Sequence, residues 1–235
     1  MTGTPPSFRR PARALWWLGG AAMAFGLFLR ITRELMEGDV SAGDNAILRA
    51  VENARTPWLT SAALDITALG SITLVVLFSF LAFLLLFALR DRRGALQLLI
   101  ASVGAAGLTM LTKAFVERVR PPEAQQLIVV SGFSYPSGHA TSTAALYLTI
   151  AIVASRYVKD AGARMVLFLA VSVILILVGA SRIYLGVHFA TDVASGISLG
   201  AAWALLLAGC FTRLGQRGST ALPVAAAQPP ARELP

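Results

Sequence analysis

Six long apolar segments constrain this chain more than any other feature. They run from about Ala14 to Leu29, Ser71 to Leu89, Ala95 to Phe115, His139 to Val158, Met165 to Tyr184 and Phe189 to Phe211. At 1.5 Å per helical residue each can reach across a hydrocarbon layer of about 30 Å, the first only barely. Within lipid no water satisfies the backbone, so such segments must be helical. The expected fold class is all-α: a polytopic membrane helical bundle with six transmembrane helices over residues 14–211, flanked by tails 1–13 and 212–235. Composition agrees. Hydrophobic residues make up 56% of the 235 and charged residues 14%, about half the usual charged share. That excludes a disordered chain, a collagen-like fibre and an ordinary soluble enzyme. The one cysteine, Cys210, forms no disulfide within the chain and leaves the redox compartment unread; in an apolar run it reads as an inert core residue.

Basic residues set the expected orientation. The N-tail, the loops after the second and fourth segments and the C-tail together hold 12 basic residues and 3 acidic ones; the other side holds 8 basic and 9 acidic. The positive-inside rule then places both termini in the cytoplasm. The net charge of +8 is thereby assigned to cytoplasmic loops and anionic headgroups, and no nucleic-acid partner is expected. A cleavable signal peptide is the alternative for the first segment, but no small-x-small site follows Leu29. The 31–70 connection is expected outside, either as short amphipathic helices on the membrane surface or as a loop packed on the bundle. The Pro- and Ala-rich tail after Gly218 reads as disordered. The Ala- and Arg-rich composition points to a bacterium. The expected location is therefore the cytoplasmic (inner) membrane, with the outer side periplasmic or extracytoplasmic.

Three polar clusters fall where spans meet that outer side. Lys113 to Pro121 closes the third span, Tyr135-Pro-Ser-Gly-His139 opens the fourth, and Ser181 to Asp192 links the fifth to the sixth. Both histidines of the chain, His139 and His188, lie in them. Lys113, Arg120 and Arg182 supply three positive charges, and guanidinium forks match phosphate oxygens. Ser137 and Gly138 open a helix whose free N–H groups face an anion. Asp192, four residues after His188, shares its helical face and can hold one ring nitrogen while the other attacks. Two histidines among three cations point to nucleophile and general acid at a phosphoryl group. Taken singly, each cation reads as a snorkelling anchor and each histidine as a capped helix end; taken together on one side, they do not. Two histidines and an aspartate also admit zinc, but three neighbouring cations oppose a divalent metal.

The pattern Lys-x6-Arg-Pro, Pro-Ser-Gly-His, Ser-Arg-x5-His-x3-Asp resembles the type 2 phosphatidic acid phosphatase superfamily. The resemblance covers about Ser71 to Phe211, and all three motifs match without departure. The six-span plan is similar to bacterial integral-membrane members acting on phosphatidylglycerophosphate or undecaprenyl diphosphate. It does not suit the family's vanadium haloperoxidases or soluble acid phosphatases. The resemblance implies that His188 attacks phosphorus to give a phosphohistidine, that Asp192 orients it and that His139 protonates the leaving oxygen. Lys113, Arg120, Arg182, Ser137 and Gly138 would hold the phosphate, with no metal and no cofactor. The expected function is a lipid phosphate phosphatase, its partners the lipid substrate and membrane lipids. A phosphotransferase on the same scaffold and a non-catalytic lipid-phosphate binder or transporter are the alternatives. The headgroup is left open among phosphatidic acid, phosphatidylglycerophosphate, undecaprenyl diphosphate and lipid A.

Two weaker features remain. Gly196 and Gly200 form a small-xxx-small pair, read as packing within the bundle with a homodimer contact as the alternative. Arg118 lies between Lys113 and Arg120, where it meets solvent, a headgroup or a second phosphate.

Overall fold

The computed structural model describes residues 10–217; the tail after Gly218 that reads as disordered lies outside them. Eight α-helices and no strand occur among the described residues: α1 (Arg10–Glu37), α2 (Ser41–Asn53), α3 (Pro57–Ala68), α4 (Ile72–Ala88), α5 (Arg92–Val116), α6 (Gly138–Ala154), α7 (Ala161–Tyr184) and α8 (Ala190–Arg217), with a 3-10 turn at Glu123–Gln125. By length and composition α1, α5, α7 and α8 can each cross a membrane, and α3 and α4 pass the same test as a pair bent by 42°. α6 is a shorter apolar helix of 17 residues. Each of the six apolar segments thus falls on a helix.

Side chains set the boundaries. Ser71 accepts from the Leu74 N–H to start α4, Asp91 from Gly94 to start α5, and Asp160 from Ala163 to start α7. Several helix ends depart from those of the apolar segments, α8 reaching Arg217 beyond Phe211, and the ends of α1 and α6 show why. The first helix does not stop at Leu29 but runs on to Glu37, carried by the i,i+4 pairs Arg30–Glu34 and Arg33–Glu37, both at 2.8 Å. The fourth stops at Ala154 rather than Val158, where Ser155 turns back to bond the Ile152 carbonyl at 2.7 Å. The 31–70 connection forms two short helices that pack on the bundle: α3 lies against α7, and α2 against α7 and α8. Leu48 and Asp44 of α2 and Ala63 and Thr67 of α3 are buried there.

Large apolar side chains point away from the protein, as at Phe80, Leu111 and Ile176, which are 57%, 71% and 65% exposed. Many buried positions of α6 and α8 are instead small or hydroxylic, among them Ala140, Ala144, Ala151, Thr141, Ser195, Ala204 and Ala208. Lipid solvates large apolar groups as well as a protein core does, so helices in a membrane gain most from close backbone approach. Gly196 and Gly200 supply it: a Cβ at Gly196 would lie 2.7 Å from the Ser137 carbonyl oxygen, and one at Gly200 only 2.3 Å from that of Thr141. The pair packs on α6 of the same chain, in line with the first of the two readings of Gly196 and Gly200. The close approach also fixes the start of α6 beside the start of α8, and these two starts carry the candidate site.

Candidate active site

His188 lies in the short turn between α7 and α8. The turn needs Gly186, at φ 74°, where a Cβ would sit 2.1 Å from the Gln125 carbonyl oxygen. The His188 ring is 2% exposed. One helical turn later Asp192 faces back to it, with Oδ2 3.4 Å from His188 Nδ1. Asp192 is fully buried and collects further donors. The Phe189 N–H donates to Oδ2 at 2.9 Å, the Ser134 hydroxyl donates to the same oxygen, and Arg118 Nη1 donates to Oδ1 at 2.6 Å. A carboxylate facing Nδ1 favours the proton there and leaves the Nε2 lone pair free. Arg120 Nη1 lies 3.2 Å from that Nε2. Burial pushes the His188 pKa down to about 4, against the opposing hydrogen bond and charge of Asp192. The imidazole is therefore neutral at pH 7, the state a nucleophile requires.

The cations come from three elements. α5 closes at Glu117 in the left-handed region (φ 50°), its N–H on the Lys113 carbonyl. Lys113 Nζ donates to the carbonyls of Phe133 and Ser134. Arg120 holds the same segment through Gly132 (2.9 Å) and reaches the Val187 carbonyl at 2.8 Å. Burial lowers the Arg120 pKa and Asp192 opposes the shift. Arg182, on the last turn of α7, is 3% exposed; its Nη1 donates to Thr67 Oγ1 at 2.9 Å, and its Nε has no partner among the described residues. Ser137 caps α6, its N–H donating to the Asp192 carbonyl oxygen at 2.9 Å, and its buried hydroxyl is likewise unpartnered. Gly138 and His139 follow, with His139 in electrostatic reach of Arg182, His188 and Arg120. The residues singled out from sequence thus gather at one end of the bundle.

Two unpartnered buried donors beside three cations suit a tetrahedral anion, because a buried polar group without a partner costs about 1–3 kcal/mol that a phosphate oxygen would recover. Among the described residues no three His, Cys, Asp or Glu side chains are arranged to hold a metal ion.

Arg118 corrects the sequence reading. Its side chain is largely buried and committed to carboxylates, so it is not free for a second phosphate. Its guanidinium bridges two buried carboxylates, Asp192 at 2.6 Å and Asp44 of α2 at 2.7 Å, donates to Thr191 Oγ1 at 2.8 Å and lies 4.1 Å from the centre of the Phe189 ring. Asp44 also accepts the Thr191 N–H at 3.0 Å. Asp44 and Ser134 are the participants that sequence reasoning missed. Tyr135, fully buried, ties the loop to α1 through a 2.7 Å hydrogen bond between its hydroxyl and Thr32.

Beside these residues opens an apolar cavity of about 800 Å³ between α4, α5 and α6. Val75, Val76, Phe80 and Phe83 form one wall, Leu98, Leu99, Val103 and Met110 the other, and Gly138 and His139 border it.

Residues 94–216 match the PAP2 superfamily. The chain is 35% identical over 178 residues to phosphatidylglycerophosphatase B of Bacillus subtilis, covering 75% of this chain and 87% of that protein. It is 31% identical over 167 residues to decaprenylphosphoryl-5-phosphoribose phosphatase of Mycobacterium tuberculosis, covering 68% of this chain and 85% of that protein. The fold is similar to the crystal structure of a transmembrane PAP2-type phosphatidylglycerolphosphate phosphatase from Bacillus subtilis, with a TM-score of 0.74, 31% identity, and 84% of this chain and 96% of that one covered. With its helices, its clustered motif residues and these relatives, the chain belongs to the PAP2 superfamily, as a membrane-spanning phosphatase.

Proposed function

We propose that the protein removes phosphate from long-chain lipid phosphates or diphosphates, phosphatidylglycerophosphate being the first substrate to try, by metal-independent covalent catalysis. The apolar cavity ending at His139 carries the lipid reading: its walls suit acyl chains, and its polar end meets the catalytic residues. It lies between the second and third apolar spans, so a lipid can enter from the bilayer without leaving it.

In this reading the phosphate oxygens take the N–H groups of Arg120 and Arg182, the Lys113 ammonium, the Ser137 hydroxyl and the Gly138 amide. Phosphorus then lies against His188 Nε2. That nitrogen attacks, its Nδ1–H is held by Asp192, and the P–O bond to the lipid breaks as His139 gives its proton to the leaving oxygen. Water next attacks the phosphohistidine, losing its proton to His139, and inorganic phosphate leaves with His188 restored. The positive-inside pattern supports a site on the extracytoplasmic face of a bacterial inner membrane.

The test is a substrate panel on purified protein in detergent. A long-chain lipid phosphate should exceed a water-soluble monoester by about tenfold or more in kcat/KM, chiefly through KM, because tail binding is largely uniform between ground and transition states. Ala106 lines the cavity, and Ala106→Trp, which intrudes on it, should raise KM for the lipid and leave the soluble ester unchanged. Equal efficiency on both substrates would remove the lipid assignment. Activity should persist in EDTA; loss that zinc restores would overturn the metal-independent chemistry.

A further inference from the structure

The end of the bundle opposite the catalytic residues holds a second concave and positively charged site. A cavity of about 550 Å³ opens there between the start of α1, the α4–α5 turn, the end of α6 and the last turns of α8. Arg13, Arg90, Arg93 and Arg156 line it, and Asp91 is the one carboxylate among its lining residues. Asp91 is already occupied: Oδ1 accepts the Gly94 N–H at 2.8 Å and Oδ2 accepts the Tyr157 hydroxyl at 2.8 Å. Among the described residues none of the four arginines forms an ion pair. An arginine at a membrane edge ordinarily reaches outward to headgroups. Here four converge on one concavity, and like charges so placed repel unless an anion lies between them.

The floor of this cavity is built. Arg156 is exposed as a residue but reaches inward, donating from Nη2 to Oε1 of Gln97 at 2.5 Å. Gln97, on the second turn of α5, is fully buried, and its Nε2 has no partner among the described residues. A buried amide that costs stability here fixes the direction of a guanidinium. Arg90 is held at φ 60°, a conformation uncommon for a residue with a Cβ. Trp17 and Tyr157 border the cavity with rings that are apolar in body and polar at one edge, the type found at headgroup depth. Leu89, Ile152 and Phe211 complete it on the apolar side.

We propose that this cavity binds the phosphate headgroup of an anionic phospholipid drawn from the leaflet at that end of the bundle. Guanidinium forks grip the phosphodiester oxygens, the aromatic rings border the glycerol, and the apolar side receives the first acyl carbons. The site is separate from the phosphatase centre and independent of the substrate assigned to it.

Native mass spectrometry of the full chain in detergent micelles tests the proposal, with dioleoylphosphatidylglycerol as probe and dioleoylphosphatidylcholine as reference. Lys113→Gln/Arg182→Gln weakens anion binding at the catalytic end, so the lipid retained by this variant reports the opposite end. It should bind phosphatidylglycerol about tenfold more tightly than phosphatidylcholine, the size expected for a few guanidiniums beside an anionic headgroup. Adding Arg13→Gln/Arg93→Gln should reduce the preference to about twofold or less, while Arg13→Lys/Arg93→Lys should keep most of it. Both arginines are exposed, and Arg13→Gln/Arg93→Gln in the otherwise unchanged chain should keep its phosphatase activity, which separates lost binding from lost folding. An undiminished preference in the Arg13→Gln/Arg93→Gln chain would overturn the proposal. Displacement of the lipid by millimolar inorganic phosphate would overturn the lipid as occupant and assign the cavity to free phosphate.

Discussion

At His188 two opposed effects act on one ring. Burial favours the neutral imidazole, Asp192 favours the charged one, and burial wins, leaving a pKa of about 4 against an ordinary 6.5. Between those values the unfolded chain binds a proton that the folded chain does not. Stability from this residue is therefore full above about pH 6.5 and is lost progressively as pH falls toward 4. The acid limb of kcat/KM on a soluble ester, corrected for the ester's own ionisation, should accordingly lie nearer 4 than 6.5. His188→Ala should cost about three orders of magnitude or more in turnover, since a covalent route has no substitute nucleophile. His139→Ala should cost about 10²–10⁴-fold on a poor leaving group and much less on a good one, which needs little proton donation. A near-normal rate for His188→Ala would remove it as the nucleophile.

Asp44 belongs to the same scale. Removing one partner from a buried ion pair leaves the other charge uncompensated, and Asp44→Ala should lower stability by about 3 kcal/mol, seen as a reduced unfolding temperature. Its activity loss should be partly rescued by Asp44→Glu. Arg118→Ala should impair phosphate and diphosphate substrates alike, because its guanidinium is bound to Asp44 and Asp192. The spacing of Lys113, Arg120, Ser137, His139, Arg182, His188 and Asp192 was legible because short motifs carry it. Asp44 was not, because it reaches Arg118 across 74 residues of sequence. An acid in an amphipathic stretch reads as a solvated one, and only the docking of α2 on α8 turns it inward. Ser134 escaped for a similar reason: it lies one residue before the cluster that the Tyr135-Pro-Ser-Gly-His139 run made visible.

At the scale of elements, α6 and α8 form the pair on which the site depends. Their contact brings the Ser137 N–H to the Asp192 carbonyl oxygen and so sets His139 of one helix near His188 at the start of the other. Gly200→Val should force the two helices apart, since even a Cβ at that position meets the Thr141 carbonyl oxygen at 2.3 Å. The expected cost is about 1–3 kcal/mol of overpacking strain, with an activity loss larger than the stability loss explains. Unfolding temperature and turnover measured on the same preparation check this; unchanged activity would show that the contact does not register the two halves. Helix positions were readable from apolar runs, which report where lipid contact is possible. Helix ends were read less well, because Glu34 and Glu37 extend α1 through charged pairs that hydropathy counts as loop. The choice between packing and dimerisation at Gly196 was likewise beyond periodicity, since a small-residue stripe has the same form whichever helix it meets.

For the whole molecule, the candidate active site and the arginine-lined cavity lie at opposite ends, and the distribution of basic residues predicts which end faces the cytoplasm. Single cysteines placed in the Pro121–Tyr135 loop, with Cys210 replaced, should react with a membrane-impermeant thiol reagent in intact cells. Labelling confined to cysteines placed in the α4–α5 and α6–α7 turns would reverse the orientation.

The length of α6 gives bilayer thickness a role in the reaction. Its 17 residues span about 25 Å, less than an average hydrocarbon layer of about 30 Å. The helix that begins at Gly138 therefore cannot bring both of its ends level with the lipid headgroups. Either the surrounding lipids compress to meet it, or a substrate's phosphate sinks below its neighbours to reach the cations. Both costs grow with chain length in the host membrane. On the proposed function, turnover should therefore fall in a membrane thickened by longer chains or sterols, which presents the same substrate at a greater depth from His188.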